Sequence, residues 1–301
     1  MNAVLILDKP KSITSQNAVT EVRRILKIKK AGHSGTLDPM ATGVLLVCLN
    51  EATKITSMLM DLEKEYVFKA RFGVVTDSYD AEGKITRVVE KFDLNRRDIE
   101  KIIEKYIGEI MQIPPMYSAV KVNGSPLHKF ARKGVEVERK PKRIFIKSIT
   151  VEKFQPPFVT FRVICGKGTY VRSLCYDIGI DVGVGAHIVE LVRTRIGEFK
   201  IENSINLEQL RLFCSSEHSR NSSHFLKSIL TIDEALYFLP SLTIQDAFAS
   251  KFLNGNFIKI TSGILPAGYV KIKDKIGRIL GIGLSNGIII KPERIIREAN
   301  Q

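Results

Sequence analysis

Two kinds of hydrophobic pattern alternate along this chain. Short runs are apolar throughout, and longer stretches carry apolar residues every second or every third to fourth position. Ala3–Leu7 and Val44–Leu49 are continuous apolar runs of strand length, and the second predicts a buried strand. Lys64–Phe72 alternates, with Tyr66, Phe68, Ala70 and Phe72 on one face and Val67, Lys69 and Arg71 on the other. Phe158–Cys165 alternates in the same way. Helical spacing places Ala18, Val22, Ile25 and Leu26 on one face, behind N-cap hydroxyls in Ser12-Ile13-Thr14-Ser15. It also groups Ala52, Ile55, Leu59 and Leu62. Ile99, Ile102, Ile103, Tyr106 and Ile107 follow i, i+3, i+4, i+7, i+8 and predict a strongly amphipathic helix.

Other segments read less regularly. A polar turn over residues 76–83 leads into a strand, Lys84–Glu90. Thr169–Gly179 predicts a strand end passing into a helix, and Gly183–Val192 a further helix. The polar run Cys214–His224 reads as a mobile surface loop, with His218 and His224 solvated. Beyond Pro240, a short helix lined by Ile244, Phe248 and Phe252 ends at Asn254-Gly255. The strands Phe257–Ile260, Tyr269–Ile272, Arg278–Leu284 and Gly287–Lys291 follow, separated by Gly and Asn turns. Hairpin-length turns such as Asp80–Gly83 favour antiparallel pairing. The expected fold is α+β: a mixed, mainly antiparallel sheet flanked by helices over residues 1–235, and a small β-barrel-like module over 240–301.

Charge changes this picture more than composition does. The 301 residues carry a formal net charge of +14, which suggests a polyanionic partner. The charge is clustered. Arg23, Arg24, Lys27, Lys29 and Lys30 lead into a Gly-rich loop, and Lys129, Arg132, Lys133, Arg139, Lys140, Lys142, Arg143 and Lys147 form a second tract. Cys48, Cys165, Cys175 and Cys214 lack CxxC spacing, so neither a zinc site nor a disulfide framework is expected. No basic stretch precedes a long apolar segment at the N-terminus, and no apolar run reaches the roughly 18 residues of a spanning helix. The expectation is a cytoplasmic protein without membrane association.

The candidate chemistry lies in Gly32-His33-Ser34-Gly35-Thr36-Leu37-Asp38-Pro39-Met40-Ala41-Thr42-Gly43-Val44-Leu45. The glycines free the backbone, Pro39 pushes Asp38 toward an extended conformation, and His33 is the one residue nearby of a type that could titrate near neutral pH. A carboxylate held at the mouth of a core strand suits nucleophilic or acid–base work. Asp-Pro in a Gly-rich run is also ordinary turn chemistry, so the loop alone does not decide.

Five segments in order resemble the TruB family of RNA pseudouridine synthases and cover most of residues 1–200. They are Asp8-Lys9-Pro10, the Gly32–Leu45 loop, Lys64-Glu65-Tyr66, the stretch PPMYSAVKVNGSPLHKFARKG from Pro114 to Gly134, and CGKGTYVRSL from Cys165 to Leu174. The C-terminal region resembles a PUA-type RNA-binding module through Leu253-Asn254-Gly255, Gly281-Ile282-Gly283 and Pro292-Glu293-Arg294. The resemblance implies isomerisation of an RNA uridine to pseudouridine, with no cofactor and no metal. It makes Asp38 the catalytic carboxylate, Arg172 its partner, and Tyr66 the aromatic lying against a flipped-out base. His33 would help hold the extruded state, while Lys9, Tyr170 and Leu191 would surround the substrate. Residues 114–147 correspond to an insertion that closes over RNA, although His128 stands where the family usually has Tyr. Asp77 and Asp80 match a recurring acidic turn, for which an Asx-turn role is expected. His187 is expected to make a structural hydrogen bond.

The resemblance points to the T-loop uridine at position 55 of tRNA, modified by a monomer without an obligatory protein partner. Two alternatives stand beside it. One is the catalytic subunit of a guide-RNA-directed complex, against which the short N-terminus and lack of Lys-rich tails weigh. The other is a non-catalytic tRNA-binding or folding protein, against which the Asp38, Tyr66 and Arg172 set weighs.

Overall fold

The computed structural model describes residues 1–122, 124–215, 223–259 and 266–297. A ten-stranded sheet forms the larger part. Its main path runs through Ile229–Thr231, Ala3–Lys9, Thr42–Leu49, Ala186–Ile196, Lys64–Phe72, Phe158–Cys165, Lys142–Gln155 and Gly108–Gln112. Pairing along this path is antiparallel except between Thr42–Leu49 and Ala186–Ile196, which run parallel at Val192 opposite Thr42 and Arg193 opposite Gly43.

The apolar patterns set the layers. In Thr42–Leu49, Val44, Leu46 and Cys48 pack with Ala52, Ile55 and Leu59 on one face. Leu45, Val47 and Leu49 pack with Ala18, Val19 and Val22 of the helix Ser15–Ile25 on the other. Burial on both faces is why this run is apolar without alternation. Thr14 caps that helix, accepting a hydrogen bond from the Asn17 N–H at 3.0 Å. Further along the sheet, the Tyr66, Phe68, Ala70 and Phe72 face meets Ile99 and Ile103 of the helix Arg96–Glu104. The same core takes in Val171, Leu174, Cys175 and Ile178 of the helix Val171–Val182.

Three segments depart from the sequence reading. Gly183–Val192 is not a helix: Gly183 closes the preceding helix at φ 93°, and the chain enters the strand Ala186–Ile196. The segment is rich in β-branched residues, and it pairs with Lys64–Phe72 on one side and Thr42–Leu49 on the other. The end of the second basic tract is also a strand, Lys142–Gln155, which buries Ile144, Ile146, Ile149 and Val151 and turns its charges outward. The helix expected around Ala52–Leu62 is a 3-10 turn, Asn50–Ile55, followed by a short helix, Thr56–Met60. Residues 216–222 of the polar run, His218 among them, lie outside the described residues, as does the side chain of His224.

The C-terminal strands form a separate five-stranded sheet in the order Ser241–Thr243, Gly268–Lys273, Ile279–Ser285, Ile289–Ile295, Ile258–Lys259. It curls around Phe252 of the helix Asp246–Leu253. Its back is fastened to the larger part. Ile282 and Ile296 pack beside Ile232, Ala235 and Leu236, and Lys273 donates to Asp233 at 2.6 Å. Lys54 donates to the Ile295 carbonyl at 2.7 Å.

Candidate active site

The Asp38 loop leaves the short strand Ala31–His33 and enters Thr42–Leu49, so both its ends belong to the sheet. Its middle is pinned on either side of Asp38. The Ser15 hydroxyl accepts from the Leu37 N–H at 2.8 Å and donates to the Leu37 carbonyl at 3.1 Å. The Pro39 carbonyl accepts from the Ser12 N–H at 2.8 Å and from Lys9 Nζ at 3.3 Å. Leu37 and Met40 are buried as anchors, which leaves the Asp38 side chain, 32% exposed, facing a cavity. Gly43 closes the loop at φ 100°, and a Cβ there would lie 2.3 Å from the Arg193 carbonyl oxygen, so a side chain cannot be accommodated.

Arg172 is the second residue of the helix Val171–Val182, where the helix dipole disfavours a cation. Carboxylates and carbonyls offset that cost. Nε and Nη2 each donate to an Asp38 oxygen at 2.9 Å, a side-on two-pronged pair. Nη1 donates to the Ser78 carbonyl at 3.0 Å and lies 3.4 Å from Asp80 Oδ2, and Nη2 also reaches the Tyr117 carbonyl at 2.7 Å. Four guanidinium N–H groups are hydrogen-bonded, and Asp80 adds an ion pair at the fifth. Asp80 is both a turn residue and an electrostatic partner. Its Oδ1 accepts from the Ser78 hydroxyl and the Glu82 N–H while Oδ2 faces Arg172. The turn carries a non-glycine residue in the left-handed region, Tyr79 at φ 64°, braced by stacking on Tyr176 at 4.1 Å. The i to i+2 Asx contact is made by Asp80 with the Glu82 N–H, whereas Asp77 Oδ1 accepts from the Lys84 N–H at 2.9 Å and ties the two ends of the turn together.

Tyr66 sits at the end of the core face, buried in one cluster with Leu37, Leu191 and Val163, and borders the cavity. Burial pushes its hydroxyl pKa up, and Arg193 pulls against that shift. Tyr170 and Leu191 line the same cavity, of about 780 Å³. The Gln112 side chain holds Tyr170 through both its N–H and its carbonyl. His128 and Arg132 of the basic insertion form part of the opposite wall. His187 Nδ1 donates to the Val74 carbonyl at 2.8 Å, away from the cavity lining.

Lys9 and His33 are not among the residues lining this cavity. Lys9 is fully buried, and its ammonium spends its three donors on the Pro10, Ile13 and Pro39 carbonyls. Burial pulls its pKa down to about 8, with Asp38 pulling the other way. It therefore holds the loop from behind and has no N–H left for substrate. His33 lies on the strand behind the loop, its pKa lowered by burial and then by Arg193.

Arg193 escaped the sequence reading. It is 1% exposed, lies on the Leu191 face of its strand, and borders the cavity. The period-two pattern Leu191, Arg193 would have revealed it had residues 183–192 been read as a strand.

A pinned carboxylate, oriented by a guanidinium and open on one side, can attack a carbon centre or take a proton. An aromatic wall beside it can hold a flat ring. Comparison with known proteins places the chain among pseudouridylate synthases. The TruB family pseudouridylate synthase N-terminal domain matches residues 23–171, and the tRNA pseudouridylate synthase B C-terminal domain residues 172–237. The TruB pseudouridine synthase II C-terminal region matches residues 240–296. The chain is 43% identical to tRNA pseudouridine synthase B of Clostridium tetani, over 91% of this chain and 87% of the relative. It is 41% identical to that of Clostridium kluyveri, over 97% and 98%. A crystal structure of a Cbf5-Nop10-Gar1 complex matches at a TM-score of 0.75 and 30% identity, over 98% of this chain and 85% of the other. The chain belongs to the TruB family of pseudouridylate synthases.

Proposed function

We propose that this protein isomerises uridine to pseudouridine in tRNA, at position 55 of the T loop. The N1–C1′ bond breaks, the base turns over, and C5 bonds to C1′. Asp38 is the catalytic carboxylate, and the observation that carries this reading is its two-pronged pairing with Arg172 while one face stays open to the cavity. Arg172 holds the carboxylate oriented through its two-pronged contact. Tyr66 lies against the extruded base, with Tyr170 and Leu191 completing its pocket. His33 and Lys9 act from behind the loop. The basic insertion grips phosphates, and the C-terminal module adds an RNA contact remote from Asp38. The enzyme acts as a monomer in the cytoplasm, on RNA alone.

Similarity to the Cbf5 complex favours a second reading, the catalytic subunit of an RNA-guided assembly. The curated relatives at 41–43% identity favour the first. The test is pseudouridine mapping in an unmodified T-arm hairpin incubated with the purified protein and nothing else. Conversion of a single T-loop uridine is expected. Conversion only after addition of a guide RNA and partner proteins would overturn the stand-alone reading, and no conversion under either condition would overturn both.

A further inference from the structure

Arg193 presents a cost that the fold has to offset. It is 1% exposed, and its side-chain partners among the described residues are two carbonyls and one phenol, with no carboxylate. Nε donates to the Val44 carbonyl at 2.7 Å and Nη2 to the Gly35 carbonyl at 3.1 Å. Nη1 lies 3.4 Å from the Tyr66 hydroxyl, and the guanidinium carbon is 5.9 Å from the Tyr66 ring centre. A buried guanidinium without an ion-pair partner is expensive to keep. Two of its N–H groups fix it to the catalytic loop and to the strand behind, and its charge is left beside one oxygen, that of Tyr66.

We infer that Arg193 is a positioning residue for Tyr66, presenting the hydroxyl oxygen to uridine C5 and supplying the positive charge against which that oxygen takes the C5 proton. This rests on the pseudouridine synthase reading. Once C5 has bonded to C1′, C5 is tetrahedral and still carries its hydrogen. The C5–H bond breaks and its electron pair restores the C5=C6 double bond. The N1=C6 π pair moves onto N1, which takes a proton. The Tyr66 hydroxyl proton moves first through water toward N1, and the proton leaving C5 then passes to the phenolate oxygen that remains. Protons balance, and no other reactant is needed. Negative charge builds on the phenol oxygen as its own proton leaves, before the C5 proton arrives, and a cation within hydrogen-bonding range stabilises that charge most where water is excluded. Arg172 cannot serve here, since its donors are already directed at Asp38, Asp80, Ser78 and Tyr117.

The rival role is purely structural: Arg193 would steady the loop through Gly35 and act only on Asp38. A C5 isotope effect separates the two. Arg193→Met and Arg193→Lys are assayed in single turnover on T-arm hairpins carrying protium or deuterium at C5 of the target uridine. The Met variant is expected to lose about 10²-fold in rate at saturating RNA, with hairpin Kd near wild type. It should also show a primary C5 isotope effect larger than wild type. The Lys variant, which keeps the charge, should recover part of the rate and part of the isotope effect. Should the Met variant fail to fold, the Lys variant carries the same comparison. Slowed turnover with no rise in the isotope effect, or an unchanged rate, would overturn the assignment. Failure of the underlying reading is distinct, because wild-type protein would then form no pseudouridine at all.

Discussion

The loop beneath the cavity and the insertion above it are built by opposite means. From Leu37 to Leu49 nearly every residue but Asp38, Pro39 and Thr42 is buried, and both backbone neighbours of Asp38 are held by Ser12, Ser15 and Lys9. Between Ala119 and Arg143, Leu127 is the only buried residue among those described, and Lys129, Arg132 and Lys133 stand exposed. The insertion touches the catalytic set at its base, where the Tyr117 carbonyl accepts from Arg172. Apolar packing supplies the rigidity that chemistry needs. A thinly packed, charged segment can mould itself to a polyanion at small cost to the rest of the fold. On the proposed reading, this difference predicts that chemistry and grip are separable, and substitutions should divide along that line.

The largest effect is expected below the cavity. Asp38→Asn keeps size and polarity but removes the charge, and should lower single-turnover rate on the order of 10⁴-fold or more with hairpin Kd within a few fold. Rate and binding measured on the same preparation check it, and substantial turnover would break the comparison at its centre. Arg172→Lys keeps a charge but cannot make the two-pronged contact, so about 10²-fold of the rate should go, again at near-normal affinity. Above the cavity, replacing Lys129, Lys133 and Lys140, which are exposed and do not line it, together by Ala should raise Kd about tenfold. The salt slope of binding should fall by up to about 3, while the saturating rate stays near wild type. A lowered plateau would mean that the insertion takes part in chemistry.

The smallest effect concerns the helix that begins with Arg172. Asp177 is partly buried there, and burial followed by repulsion from Asp181 lifts its pKa to about 6. Between the ordinary aspartate value and about 6 the folded state binds more protons than the unfolded chain, so this group makes stability fall as pH rises through that window. Asp177→Asn should therefore raise Tm by about 2 °C at pH 7, with little change near pH 4. RNA affinity should not move. Thermal unfolding at the two pH values checks this.

Much of the lower half was legible because its residues obey local rules. The apolar run Val44–Leu49, the alternation from Tyr66 to Phe72 and the Thr14 cap all appear where periodicity and cap chemistry put them. The approach of Asp38 to Arg172 came from the resemblance, since no local pattern predicts a contact across 134 positions. Two features stayed hidden for physical reasons. Ala186–Ile196 is a central strand because neighbours on both sides supply its hydrogen bonds, and that tertiary fact overrode a helical reading of Gly183–Val192. Lys142–Gln155 hides its apolar face behind outward charges, so its first half read as part of a basic tract. Missing the first strand also hid Arg193, whose face is defined only by strand geometry. Asp80 was half legible: turn chemistry explains one of its oxygens, and the other answers to Arg172 across the fold.

Separability of grip from chemistry can be measured on the wild-type protein alone. Single-turnover pseudouridine formation is followed against T-arm hairpin concentration at about 50 mM and about 200 mM salt, a range over which phosphate-driven binding weakens steeply. The half-saturating concentration should rise by at least tenfold between the two conditions while the plateau rate stays constant, because the Asp38–Arg172 pair is held by the core rather than by the charged insertion. A plateau that falls in step with affinity would contradict the account.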